Sequence, residues 1–362
     1  MNEGMKAMKH LMGTLQETPM SSQQYKETVI TKLREAIPFD AACCTTVDPN
    51  TLLSTGAITE QGVEDIHSQI FEYEYLHEDF NQYEQLAHAV VPVASLSGAT
   101  EGQLERSERY RAVLQPAGFG DELRVALMSE GACWGYLTLF RFLDSPFFQE
   151  EECTIVATIA PFIASTLRTF TLSLPAEDMQ GLQEEGNGIM VLSDQLIPLT
   201  FNAVAKHWLT MLRGLEQLDS EALPRPVRAV CSRALAEGND TIGKPSKAKI
   251  CLRIKDGNYL SIVASRLEGP TGLTQLAVSF EPAKSSDILP LIAEAYALSV
   301  REKEIVEHIS KGLSTKELAQ VLHISAYTVQ DHLKSIFFKT GVTSRRELIW
   351  KLFSRYSLDR NG

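Results

Sequence analysis

The sequence predicts a multidomain chain in which two α+β domains are followed by an all-α domain of four helices. Three observations predict it. Two separate blocks each alternate strand-like and helix-like patterns. A third block has only helical periodicity, opened by three Ser-x-x-Glu signals. A polar segment with two prolines, Glu281–Pro290, divides the third block from the rest. A length of 362 residues has room for two or three domains at about 100–200 residues each. A composition 44% hydrophobic and 22% charged is ordinary for a globular protein.

The elements divide the chain into an N-terminal extension (1–20), a first α+β domain (21–172), a second (186–282), a linker (283–297), the helical domain (298–354) and a tail (355–362). In the first domain, Gln24–Ile37 carries Tyr25, Val29, Ile30, Leu33 and Ile37 at helical spacing and stops at Pro38. Ala41–Val47 reads as a strand ended by Asp48-Pro49-Asn50. Gly62–Tyr75 is helical. Glu122–Met128 and Cys133–Phe140 read as paired strands turning at Ser129-Glu130-Gly131. A helix over Gln149–Phe170 closes the domain. In the second domain, Gly188–Ser193 and Leu196–Phe201 flank an Asp194-Gln195 turn, and Ala203–Leu212 is helical. Ala248–Lys255 and Tyr259–Leu267 form a hairpin about Asp256-Gly257-Asn258. Leu276–Glu281 follows Gly269-Pro270-Thr271-Gly272 as a last strand.

The first order resembles a GAF-like sensor domain, carried by IPFDAAC at Ile37–Cys43, CWGYLTL at Cys133–Leu139 and the helix Phe148–Arg168. The second resembles a PAS-like domain, carried by GIMVLSDQLIPLTFNAVAKHWL and RIKDGNYLSIVASRLEG. The resemblances imply signal-sensing domains with a small-molecule ligand as a candidate partner. No residue is assigned to a cofactor or to catalysis. His67, His77 and His88 are not spaced like a metal site. Trp134 and Tyr136 read as core or cross-strand pairs, and Trp208 as a packed helix residue. No GxxxxGK[ST], HExxH or GxSxG occurs, so an enzyme is not expected.

Charge is unevenly spread. The formal net charge is −12, yet residues 298–353 hold nine Lys/Arg against six Asp/Glu, and residues 1–297 carry −16. An acidic body repels phosphates, so contact with a polyanion is expected only at the basic head. The six cysteines lack CxxC spacing and read as reduced thiols of a cytoplasmic protein. Thr154–Leu167, the most apolar run, is shorter than the ~20 residues that span a bilayer, so no membrane partner is expected.

The head carries the most specific pattern. Ser299/Glu302, Ser314/Glu317 and Ser344/Glu347 each fit a capping box, and Gly312 and Gly341 stand where helices end. Ser314–Leu322, the turn His323-Ile324-Ser325 and Ala326–Lys339 form a helix-turn-helix. On a wheel of about 100° per residue, Val329, Leu333, Ile336 and Phe337 form one stripe. Tyr327, Gln330, Asp331, Lys334 and Phe338 lie opposite. That geometry fits a major groove, with Gln330 suited to adenine and Lys334 to guanine. Ser325, Thr328 and Lys339, with Lys316, Arg345 and Arg346, suit phosphates. The expected DNA-facing set is Ser314, Thr315, Lys316, Ser325, Tyr327, Thr328, Gln330, Asp331, Lys334, Lys339 and Arg345.

Across about 56 residues, LSVREKEIVEHISKGLSTKELAQVLHIS, TVQDHLKSIFFKTGV and SRRELI, the head resembles the LuxR/NarL-type helix-turn-helix. The resemblance implies a one-component transcription regulator that binds promoter or operator DNA as a homodimer and can contact RNA polymerase. Members commonly place a basic residue at the Gln330 position and a small apolar one at Asp331. This chain departs at both, so its site sequence is not legible. The alternative is an anti-activator whose head docks another regulator. A phosphorylation-driven receiver is disfavoured, because the first 120 residues lack its acidic cluster, aspartate and lysine.

Overall fold

The computed structural model describes residues 20–60, 62–172, 186–219, 221–236, 248–254, 258–268 and 273–354. Most of the N-terminal extension, the tail, and the turn residues Asp256, Gly257 and Gly269–Gly272 lie outside the described residues. Of the described residues, those up to Phe170, those between 186 and 250 and those between 262 and 281 form one compact unit. The others form a second. Residues 186–282, read above as one domain, thus divide between the two.

The first unit opens on α1 (Ser22–Ala36), capped by a reciprocal Ser21–Gln24 box. It continues through β1 (Ala41–Val47), β2 (Ser54–Thr59), α2 (Val63–Leu76), α3 (Tyr83–His88), β3 (Val93–Ser95), α4 (Leu96–Ala99), β4 (Phe119–Ser129), β5 (Ala132–Phe142) and α5 (Glu150–Leu172). The strands form an antiparallel sheet of order β2-β1-β5-β4-β3. The two longest strands are buried along nearly their whole length, as a sheet covered on both faces must be. The β4–β5 turn places Glu130 and Gly131 at φ 52° and 80°. Gly135 admits no side chain, because a Cβ there would meet the Thr45 carbonyl at 2.5 Å.

The sequence reading missed β2, β3, α3 and α4, which are short and lack clean periodicity. It also took the apolar run of the last helix as too short to span a bilayer. By length and composition alone, the 23-residue α5 is long and apolar enough. Val156, Ile159, Ala160, Ile163, Ala164 and Leu167 make it one face of the buried core.

A second sheet comprises β6 (Gly188–Ser193), β7 (Pro198–Phe201), β8 (Lys249–Arg253), β9 (Tyr259–Glu268) and β10 (Thr274–Pro282), with α6 (Ala203–Glu216) and α7 (Arg225–Ala236) inserted after β7. Its order, β7-β6-β10-β9-β8, repeats that of the first sheet strand for strand. The sequence did not reveal α7. Its arginines mask the apolar stripe, yet Arg225 and Arg228 are buried.

In the second unit, the stretch expected as a linker contains a helix, α8 (Ser285–Ala295), which buries Ile288, Leu291, Ile292 and Ala293. Polar composition masked those four residues at helical spacing. Then come α9 (Val300–Ser310), α10 (Thr315–Val321), α11 (Ala326–Thr340) and α12 (Arg345–Ile349). Ile305, Val306, Ile309, Leu318, Val329, Ile336 and Leu348 form their common core.

Candidate nucleic-acid interface and buried pocket

Two of the three expected capping boxes close fully, at Ser299–Glu302 and Ser314–Glu317. The third is half made. Ser344 Oγ accepts from the Glu347 amide, but the Glu347 carboxylate turns to the Thr343 amide at 2.7 Å. After α10 the chain turns through His323 at φ 51°. Ser325 Oγ then caps α11 by accepting from the Thr328 amide at 3.0 Å. This tight turn fixes α10 and α11 as a helix-turn-helix pair.

Of the stripe read from the wheel, Val329, Leu333 and Ile336 are buried, and Phe337 is half-buried. Outward, Tyr327 is 71% and Phe338 90% exposed, and Gln330, Asp331 and Lys334 are exposed. Lys334 Nζ bonds Asp331 at 3.2 Å across one helical turn. Such an exposed pair contributes only about 0.2–0.5 kcal/mol, so the ammonium can leave it at little cost. Ser314, Lys316 and Arg346 are exposed, and Thr315 and Thr328 half-buried.

Two residues expected at phosphates have intramolecular duties. Lys339 Nζ bonds Glu302 Oε2 at 2.7 Å and the Ala297 carbonyl at 2.9 Å. Arg345 donates to the Leu313 carbonyl. Glu302 also accepts from Ser335 Oγ at 2.6 Å and from the Ser299 amide at 2.7 Å. Burial raises its pKa, but the Lys339, Ser335 and Ser299 bonds outweigh burial and hold it down to about 2. The cluster ties the start of α9 to the end of α11. Sequence spacing gave no signal for it, because Glu302 and Lys339 are far apart in the chain.

The first unit holds a pocket between the sheet and α2. Cys43, Ser54, His67, Phe71, Glu122 and Tyr136 are among its lining residues, and about 30 Å³ of its interior is open to water-sized atoms. Tyr83 stacks on Tyr136 with ring centroids 3.9 Å apart, and the Arg124 guanidinium lies 4.0 Å from the Tyr83 centroid. Arg124 also pairs with Glu74 at 2.6 Å, and Arg109 with Glu122. Tyr136, read as a core or cross-strand residue, is buried and lines this pocket. A β-bulge between Leu127 and Met128 shifts the pairing beside it, and it clusters with Cys133. Burial pushes the Cys44 and Cys133 thiols up to about 12, and burial also raises Cys43. Among the described residues, no group of His, Cys, Asp and Glu could hold a metal ion.

Helix α7 backs this pocket within the same unit. Arg225, 1% exposed, pairs with Glu64 and Glu216 and donates to Thr59 and to His67 Nε2, the latter at 3.3 Å. Arg228 donates to Ser68 at 2.7 Å. Burial, then the Arg225 and Arg228 charges, lower the pKa of His67 well below its ordinary value, so its ring is neutral.

Comparison with known proteins matches both regions. Residues 296–352 match the family of bacterial regulatory proteins, luxR family, and residues 27–167 match the GAF domain. The chain therefore carries a luxR-type helix-turn-helix domain and a GAF domain. The Monoamine regulon transcriptional regulator of Klebsiella aerogenes is 35% identical over 96 residues, 26% of this chain and 40% of that protein. The transcriptional regulatory protein DesR of Bacillus subtilis is 42% identical over 59 residues, 16% of this chain and 30% of that protein. The chain thus spans less than half the length of these relatives. A solved Vibrio cholera VqmA-Ligand-DNA complex aligns with 48% of this chain and 84% of its own at 15% identity, with a TM-score of 0.23.

Proposed function

We propose that the chain is a one-component transcription regulator whose helix-turn-helix reads double-stranded DNA under the control of its N-terminal domains. The observation that carries this reading is the outward face of α11. Gln330 and Lys334 stand clear of the core there, on a helix whose opposite face is buried. Gln330 is suited to an adenine edge and Lys334 to guanine acceptors. Ser314, Thr315, Lys316, Ser325, Thr328 and Arg346 supply phosphate contacts around them. Tyr327 flanks the base-reading pair, and Asp331 accepts from a cytosine amine or holds Lys334 until DNA arrives. Lys339 and Arg345 act as braces of the domain rather than as phosphate ligands, because both are bonded within it. The GAF pocket is the candidate sensor. Two copies bind together, since pairing two half-sites multiplies affinity through effective concentration.

The test is retention of promoter DNA by the full chain across a salt series. Affinity should fall linearly in log–log form with salt, and steeply. Binding that is salt-insensitive, or that equally favours unrelated fragments of a genomic library, removes the DNA-reading role. It would leave docking onto another regulator as the function of the head.

A further inference from the structure

His67 lines the pocket and is 3% exposed. An arginine Nε–H can only donate, so the Arg225 bond makes His67 Nε2 an acceptor and places the ring proton on Nδ1. Among the described residues, that Nδ1 has no hydrogen-bond partner. Among the described residues, Glu122 Oε2 and Ser54 Oγ, on two further residues that line the pocket, are buried and unpartnered too. Glu122 and Ser54 are each 1% exposed. A buried donor, a buried acceptor and a buried hydroxyl without partners together cost several kcal/mol unless something satisfies them.

We propose that this pocket receives a compact, uncharged molecule that presents an acceptor to His67 Nδ1–H and a donor to Glu122 Oε2, with Arg225 positioning the His67 proton. The inference rests on the sensor reading above and specifies the chemistry of the signal. The ligand is uncharged because the ionic groups of the wall are already matched. Glu74 pairs with Arg124 and Glu122 with Arg109, and behind the wall Arg225 pairs with Glu64 and Glu216. A further buried charge would have no counter-ion and would be strongly disfavoured. Tyr83 and Tyr136, stacked on each other, add aromatic surface to the wall that suits an amide-like or aromatic frame. The open interior has room for about two waters, so a ring-sized molecule enters by displacing side chains such as Phe71. Arg225 lies on α7, beyond the first sheet and the GAF match, so the receptor site is assembled from two parts of the chain.

Full-length protein labelled with ¹⁵N-histidine tests this with three probes that share one ring: benzamide, benzoate and benzylammonium. The free protein should show His67 protonated at Nδ1. Benzamide should shift the His67 resonances and bind at least about tenfold more tightly than either charged probe, the size expected of one uncompensated buried charge. Arg225→Gln should move the His67 proton toward Nε2 and weaken benzamide, a tautomer change that loss of packing alone does not produce. If that variant does not fold, the wild-type tautomer and the preference for benzamide over the charged probes still decide. A wild-type proton on Nε2, equal binding of a charged probe, or no response of His67 to benzamide at its solubility limit overturns the proposal. The last outcome would mean that the pocket holds buried water only. DNA retention by the same preparation is read separately, so the regulator reading can survive this failure.

Discussion

Lys339→Ala separates a structural brace from a phosphate contact. The Lys339 ammonium is 32% exposed and bonds a Glu302 side chain that is 5% exposed. Removing it leaves a buried carboxylate with two donors, Ser335 and the Ser299 amide, and no counter-charge. A charge-assisted bond contributes about 1.5–3 kcal/mol, and partial solvent access at the lysine reduces this to about 1–2 kcal/mol. The helix-turn-helix should lose that much local stability. Hydrogen exchange at neutral pH reads it out, with peptides over α9 and α11 exchanging about 5–30 times faster. Peptides of the first sheet serve as an unaffected reference. The pH dependence has a definite sign. Because Glu302 titrates near 2 when folded rather than at its ordinary 4.5, its stabilisation is complete above about 4.5 and is lost as pH falls toward about 2. In Lys339→Ala this acid-labile contribution should shrink. Unchanged exchange, combined with a DNA-binding salt slope lowered by about one, would refute the brace and return Lys339 to the phosphates.

Four further outcomes are expected. Lys334→Ala should cost about 1–3 kcal/mol at the preferred sequence and relax the preference at one base position, measured by binding to a randomised site. Lys316→Ala and Arg346→Ala should instead weaken all sequences alike and each lower the salt slope by about one. Gly135→Ala should lower the urea midpoint of the first unit by an amount worth about 1–3 kcal/mol, since its Cβ meets the Thr45 carbonyl and the Leu167 side chain. Cys43, Cys44 and Cys133 should resist a thiol reagent at pH 8 in the folded protein and react on unfolding, because burial raises their pKa values.

The interface was more legible in the sequence than the pocket. The capping serines, the Gly341 end signal and the Val329–Leu333–Ile336 stripe are local, and each is present in the structure. Local spacing also separated Gln330 and Lys334 from the core. It could not tell Lys316 from Lys339, since both are lysines on a basic head. Only the approach of Glu302 distinguishes them. The pocket had almost no signature, because its walls come from β1, β2, α2, α3, β4 and β5. Two of those elements, β2 and α3, were not recognised at all. His67 carried no metal-like spacing, and nothing in the neighbourhood of Arg225 pointed to a partner some 160 residues earlier.

By itself the sequence determined the GAF and luxR-type regions, the capped helix-turn-helix and the separation of a basic head from an acidic body. Those properties depend on contacts within a few residues, or on composition, and a linear pattern records both. Tertiary structure decided which polar groups are spent on folding and which remain to meet a partner. Lys339 is bonded to Glu302 and Arg345 to the Leu313 carbonyl. Lys334 is held by an exposed neighbour. His67, Glu122 and Ser54 keep unmatched atoms inside the first unit. The physical reason is that burial sets the value of a hydrogen bond or a charge, and burial follows from long-range packing rather than from spacing along the chain.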